Sequence, residues 1–151
     1  MRLLAILITI LALADGILHV GLDFVLFRGN LFGRLGPPPG APPPPTGGGG
    51  PPQFPLPLNQ LFVLNLVGYI VLVLLLWFVA PRLGGWGWLV EAVFILYTAL
   101  VIGGWMRFGA PNPRNLGYLS KTLEIVLILA LLARLWMRVG RAARMRSPAT
   151  T

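Results

Sequence analysis

The chain has 151 residues, is 56% hydrophobic and only 11% charged, and has a mean hydropathy of +0.80, which excludes an ordinary soluble domain and points to a bilayer. It has no Cys, which excludes disulfides, thiolate metal sites and thiol redox chemistry, and a single His, which excludes a bis-histidine haem built from this chain alone. The formal net charge of +8 comes from basic residues that flank apolar runs and form no water-exposed face, so the expected partners are anionic lipid head groups and not nucleic acid.

A hydrocarbon core of ~30 Å needs about 20 apolar residues in helical form. Four runs meet that length, and they predict an all-α integral membrane four-helix bundle with spans at roughly 3–27, 58–80, 86–106 and 116–138. The first begins "MRLLAILITILALAD", which also reads as a signal peptide with a small-residue cleavage pattern at Ala12-Leu13-Ala14. The apolar character continues through "GILHVGLDFVLF", so an uncleaved helix is expected. Residues 36–57, "GPPPGAPPPPTGGGGPPQFPLP", hold eleven of the fifteen Pro residues and read as an exposed, flexible spacer on the outer side of the membrane.

The second span ends at Pro81, the third follows "RLGGWGW", and the fourth follows "GAPNPRN". Trp77, Trp86, Trp88, Trp105 and Trp136 all fall near span ends, where indole rings prefer the head-group layer. Four spans put both termini on one side. The Arg-dense end of the chain, residues 139–151 with Arg134, Arg138, Arg141, Arg144 and Arg146 in or near it, favours an N-in, C-in threading and an inner-leaflet anchor. A prokaryotic cytoplasmic membrane is the expected location.

The four carboxylates, Asp15, Asp23, Glu91 and Glu124, all lie within predicted spans, as does His19. An ionisable group at the centre of a membrane helix costs ~2.5–3.5 kcal/mol on insertion scales, so such groups call for partners. Asp15, His19 and Asp23 follow i, i+4, i+8 spacing and form one stripe beside a small-residue row of Ala5, Thr9, Ala12 and Gly16. Counting inward from the outer span ends predicts an outer-half cluster of His19, Asp23, Asn65, Lys121 and Glu124, with Asp23 and Lys121 as the ion pair. Asp15 is expected deeper, near mid-membrane. Glu91 is expected near the inner end, paired with Arg82 or Arg138, and Glu91, Thr98 and Asp15 could extend the cluster into a discontinuous polar track.

Three readings follow, and the residues leave them open. The expected role is a structural or accessory subunit, in a homo-oligomer or larger membrane complex, whose polar cluster holds the helices in register. A proton-coupled transporter or ion-conducting component would use Asp15, Glu91 or Glu124 in a relay. Four short spans with a carboxylate in the first are similar to those of small multidrug transporters, although the other spans carry no matching motif. A membrane-embedded quinone-, lipid- or metal-binding protein is the third, with His19 and Tyr69, Tyr97 or Tyr118 available to a quinone; one His with drifting carboxylates names no metal set, and the cofactor is left unknown. No enzyme is indicated: "TGGGG" lacks the Lys of a phosphate loop, and Ser120 and Ser147 lie in no nucleophile elbow.

Overall fold

The computed structural model describes residues 2–27, 58–107 and 115–146, with side chains described for 2–22, 60–107 and 115–140. The Pro-rich segment 36–57 lies outside the described residues, as do the side chains of Asp23, Arg141, Arg144 and Arg146. The described chain is all-helical, with four helices each long and apolar enough to cross a membrane. Helix α1 spans Arg2–Phe27; α2 starts at Leu58 and runs through a final π-helical turn, Leu75–Val79; α3 spans Trp88–Arg107; and α4 spans Leu116–Arg146.

The end of α2 shows why its last turn widens. Pro81 has no N–H to give to the helix, and the preceding Ala80 donates to Leu75 O at 2.8 Å, five residues back. This turn directs Trp77 Nε1 onto Thr9 Oγ1 of α1 at 2.9 Å, and the Thr9 hydroxyl in turn donates a hydrogen bond to Ala5 O at 2.9 Å. A tight 3₁₀ turn at Gly84–Trp86 then leads into α3. At the other end of the chain, α4 does not stop near 138 as the sequence suggested; it continues through "VGRAARMR" to Arg146. Ala and Arg are good helix formers and no Pro interrupts them, so one Gly at a cost of ~1 kcal/mol does not end the helix.

Helix α1 packs along both α2 and α4, and α3 packs on α4 and on the π-helical turn of α2. Elsewhere α2 and α3 meet more sparsely, through Tyr69 on Phe94 and Tyr97 and through the Tyr97 hydroxyl on Asn65. Ile8 and Ala12 of α1, Tyr69, Leu72 and Leu76 of α2, Phe94 of α3 and Leu127 and Leu131 of α4 form one core. The outer surface is apolar as well: Leu3, Ile10, Ile17, Leu64, Leu96, Leu100, Leu129 and Val139 are all exposed. Polar side chains are buried instead, among them Asp15, His19, Asn65, Glu91, Thr98, Ser120, Lys121, Glu124 and Arg134. Helices apolar on all faces with polar groups turned inward are the reverse of a water-soluble bundle.

The small-residue row of α1 lies inside, with Ala5, Ala12 and Gly16 buried. Gly16 is the tightest point, because a Cβ there would stand 2.7 Å from Leu66 Cδ1 and 3.2 Å from Leu66 Cα. The second contact involves the α2 backbone and cannot be relieved by a rotamer change. Gly16→Ala is therefore expected to destabilise the bundle by ~1–3 kcal/mol through overpacking, whereas Gly21→Ala, with nothing within 4 Å of the new methyl, should be neutral or slightly stabilising. Thermal unfolding of the two variants in detergent, compared with the parent, checks the difference.

Candidate functional site

Asp15 and His19 come from successive turns of α1, so their side chains share one face, and Ser120, Lys121 and Glu124 come from the facing turn of α4. The Ser120 hydroxyl donates to Asp15 Oδ1 at 2.7 Å and lies 3.4 Å from Glu124 Oε1. The Lys121 ammonium binds Glu124 Oε1. His19 Nδ1 lies 3.0 Å from the Asp15 carbonyl and 3.3 Å from Asp15 Oδ2, while Nε2 faces Glu124 Oε1 at 3.6 Å. Both carboxylates are fully buried, and His19 and Lys121 nearly so. The Lys121 ammonium also stands 5.8 Å above the ring of Trp105, a cation–π distance.

The structure thus brings His19, Lys121 and Glu124 together, but it changes the rest of the expected cluster. Asp15, expected deeper than the cluster, is joined to it, because Ser120 of α4 donates to its carboxylate. Lys121 takes Glu124 as its carboxylate; the expected partner, Asp23, has its side chain outside the described residues. Ser120 was missed, since a lone Ser on an apolar helix carries no signal until its neighbour on another helix is known. Asn65 is buried one step away: its Oδ1 accepts from the Tyr97 hydroxyl at 3.0 Å, and its Nδ2 has no hydrogen-bond partner.

Asn65 and His19 line a cavity of about 670 Å³ between α2 and α3. Its walls are mainly apolar and aromatic, from Leu61, Phe62, Leu64, Tyr97, Leu100, Val101 and Trp105, and Gly103, Gly104 and Arg107 lie at the α3 end. The His19 ring packs edge-on against Phe62, with centroids 5.7 Å apart. His19 is therefore shared, with the ion cluster on one side and an apolar chamber on the other.

A second charged group lies lower on α3 and α4. Glu91 is fully buried, and its Oε1 meets Arg138 Nη2 at 2.9 Å and Arg134 Nε at 3.3 Å. Of the two expected partners, Arg138 is present and Arg82 is not; Arg82 is exposed and caps the carbonyl of Phe78 on its own helix. Arg134 and Arg138 also depart from the role of surface anchors, since α4 presents both, one turn apart, to the buried carboxylate. The approach depends on Gly87, where any Cβ would collide with the Arg138 guanidinium and the Ala80 carbonyl. Thr98 is buried but gives its hydroxyl to Phe94 O at 3.0 Å, and Phe94 fills the turn of α3 between Thr98 and Glu91. The charged groups therefore form two clusters, with Phe94 and the buried side chains of Tyr69 and Thr98 in the core beside them.

Removing Glu91 would leave two partly buried guanidiniums facing each other, so Glu91→Ala is expected to cost ~3–5 kcal/mol, while Arg82→Ala should stay within about 0.5 kcal/mol of the parent. Chemical unfolding in mixed micelles measures both.

No protein-family model, curated protein or solved structure matches the chain.

Proposed function

We propose that the protein is a multi-pass membrane protein, threaded with both termini on the inner side of a prokaryotic cytoplasmic membrane, whose α2–α3 cavity binds an apolar, carbonyl-bearing ligand of the quinone class. The observation that carries this reading is the Asn65 amide: Nδ2 is a buried donor without an acceptor, on the wall of an apolar chamber. An unsatisfied buried donor costs ~1–3 kcal/mol, and a ligand carbonyl would remove that cost. Tyr97 holds Asn65 Oδ1 and so aims the amide, while Phe62 and Trp105 offer ring faces and edges to a planar head. A site that is mostly apolar with a few fixed polar groups is the usual form of a small-molecule pocket. The apolar outer surface supports the membrane setting, and the exposed Trp86 and Trp136 suit its interfaces.

The accessory role expected from the sequence keeps support from one contact, the Ser120 to Asp15 hydrogen bond that ties α4 to α1. It describes what holds the chamber together, and both roles can belong to one protein. Transport draws less support, because the hydroxyl of Thr98 is turned to its own helix and Phe94 fills the turn between Thr98 and Glu91.

A short-chain quinone titrated into the protein in lipid nanodiscs should quench Trp105 fluorescence saturably, with a Trp105→Phe variant locating the signal. Asn65→Leu should weaken binding about tenfold, the worth of one hydrogen bond of ~1.4 kcal/mol. Gly103→Leu, which meets nothing within 4 Å at its Cβ, should fill the chamber and abolish binding without loss of thermal stability. Quenching that never saturates, or an affinity unaffected by both changes, would sink the proposal. The threading has its own check, made clean by the absence of native Cys: in intact cells a membrane-impermeant maleimide should label Gly48→Cys and leave Ser147→Cys unlabelled until the membrane is opened.

A further inference from the structure

The α1–α4 cluster has a feature that neither a structural lock nor the quinone chamber uses. Two buried carboxylates are each held through one oxygen and leave the other without a hydrogen-bond donor. Asp15 Oδ1 is bound by Ser120, and Oδ2 makes no hydrogen bond. Glu124 Oε1 is bound by Lys121, and Oε2 makes no hydrogen bond. His19 Nδ1 donates to the Asp15 carbonyl at 3.0 Å, and Nε2 lies 3.6 Å from Glu124 Oε1.

We propose that Asp15, His19 and Glu124 form a binding site for a single divalent transition-metal ion. One ligand atom from each lies within 4.8 Å of the others, and all three residues are buried. Donors placed ~2.1 Å from a tetrahedral ion stand about 3.4 Å apart, so the site closes on a metal by small side-chain rotations. The surroundings have the form of an outer shell: a ligating His normally gives its other N–H to a carbonyl, as His19 does to Asp15, and ligating carboxylates are steadied by hydrogen bonds, as Ser120 and Lys121 do here. One nitrogen and two oxygens suit Zn²⁺, Mn²⁺ or Fe²⁺ in preference to a softer ion. The Lys121 ammonium lies on Glu124 Oε1, the oxygen that faces His19 Nε2, and Oε2 makes no hydrogen bond.

The test uses the full chain in nanodiscs, stripped with a chelator and titrated with Zn²⁺ alone, with bound metal counted by mass spectrometry and affinity read by calorimetry. One ion per chain is expected, and His19→Gln and Asp15→Asn should each lose it. Ser120→Ala keeps every ligand and should still weaken Zn²⁺ binding about tenfold, so it reads the site even if a ligand variant fails to fold. Co²⁺ substitution should give a visible spectrum of mixed nitrogen and oxygen coordination that disappears in His19→Gln. No saturable one-to-one binding, or binding that survives both ligand variants and Ser120→Ala unchanged, overturns the proposal. Quinone titration of the metal-free protein is read separately, so failure of either idea leaves the other standing.

Discussion

A charge enclosed by apolar helices has no water to turn to, and this one requirement organises the bundle. Asp15 and Glu91 sit fully buried on different helices, and each finds its partners on α4. Breaking the Glu91 ion pair leaves an uncompensated charge at a cost of ~3–5 kcal/mol, whereas an interhelical hydrogen bond such as Ser120 to Asp15 typically contributes ~0.6 kcal/mol. The pairing thus selects one arrangement more than it adds stability. It fixes which face of α1 and which face of α3 meet α4, and it does so at two heights, with Ser120, Lys121 and Glu124 at one and Arg134 and Arg138 at the other.

Helix α2 is placed by different means. It contributes no charged residue to either cluster, and it is held by apolar packing, by the close approach of Leu66 to Gly16, and by the Trp77 bond to Thr9. These contacts tie it to α1. Its π-helical turn packs on α3, and the rest of α2 meets α3 through Tyr69 on Phe94 and Tyr97 and through the Tyr97 hydroxyl on Asn65. The cavity is the result of that asymmetry: two helices are bound to α4 by charge, one to α1 by shape, and a gap opens where neither rule applies. Its polar wall is made by the residues that stand at the seam, His19 and Asn65.

The position of His19 gives the site its chemical interest. One edge of the imidazole belongs to a network of two carboxylates and an ammonium, and the ring borders the apolar chamber. An event on either side, a bound ion or a bound head group, would be felt on the other through a single planar side chain whose Nδ1 is already fixed by a backbone carbonyl. The second cluster makes no direct contact with His19 and lies beyond Phe94 and the leucines of α4.

The helices themselves were legible from apolar run length and from Pro and Gly punctuation, because both act locally on the chain. The exception is the end of α4, where a run of Arg and Ala reads equally as a basic tail and as a continuing helix. The presence of a buried polar site was legible too, since all four carboxylates lie in apolar runs and must be paired. Its membership was not. Depth counting aligns the spans by their ends, whereas the packing of α1 on α4 sets Asp15 beside Ser120, and Lys121 pairs with its own helix neighbour Glu124. Likewise Arg134 and Arg138 carry a surface-anchor signature in sequence, and only the approach of α3 beside Gly87 makes them partners of Glu91. The sequence by itself determined that charges would be enclosed; the tertiary structure decided which atoms face one another and where space remains, because those depend on crossing angles and close contacts between helices that no single segment encodes.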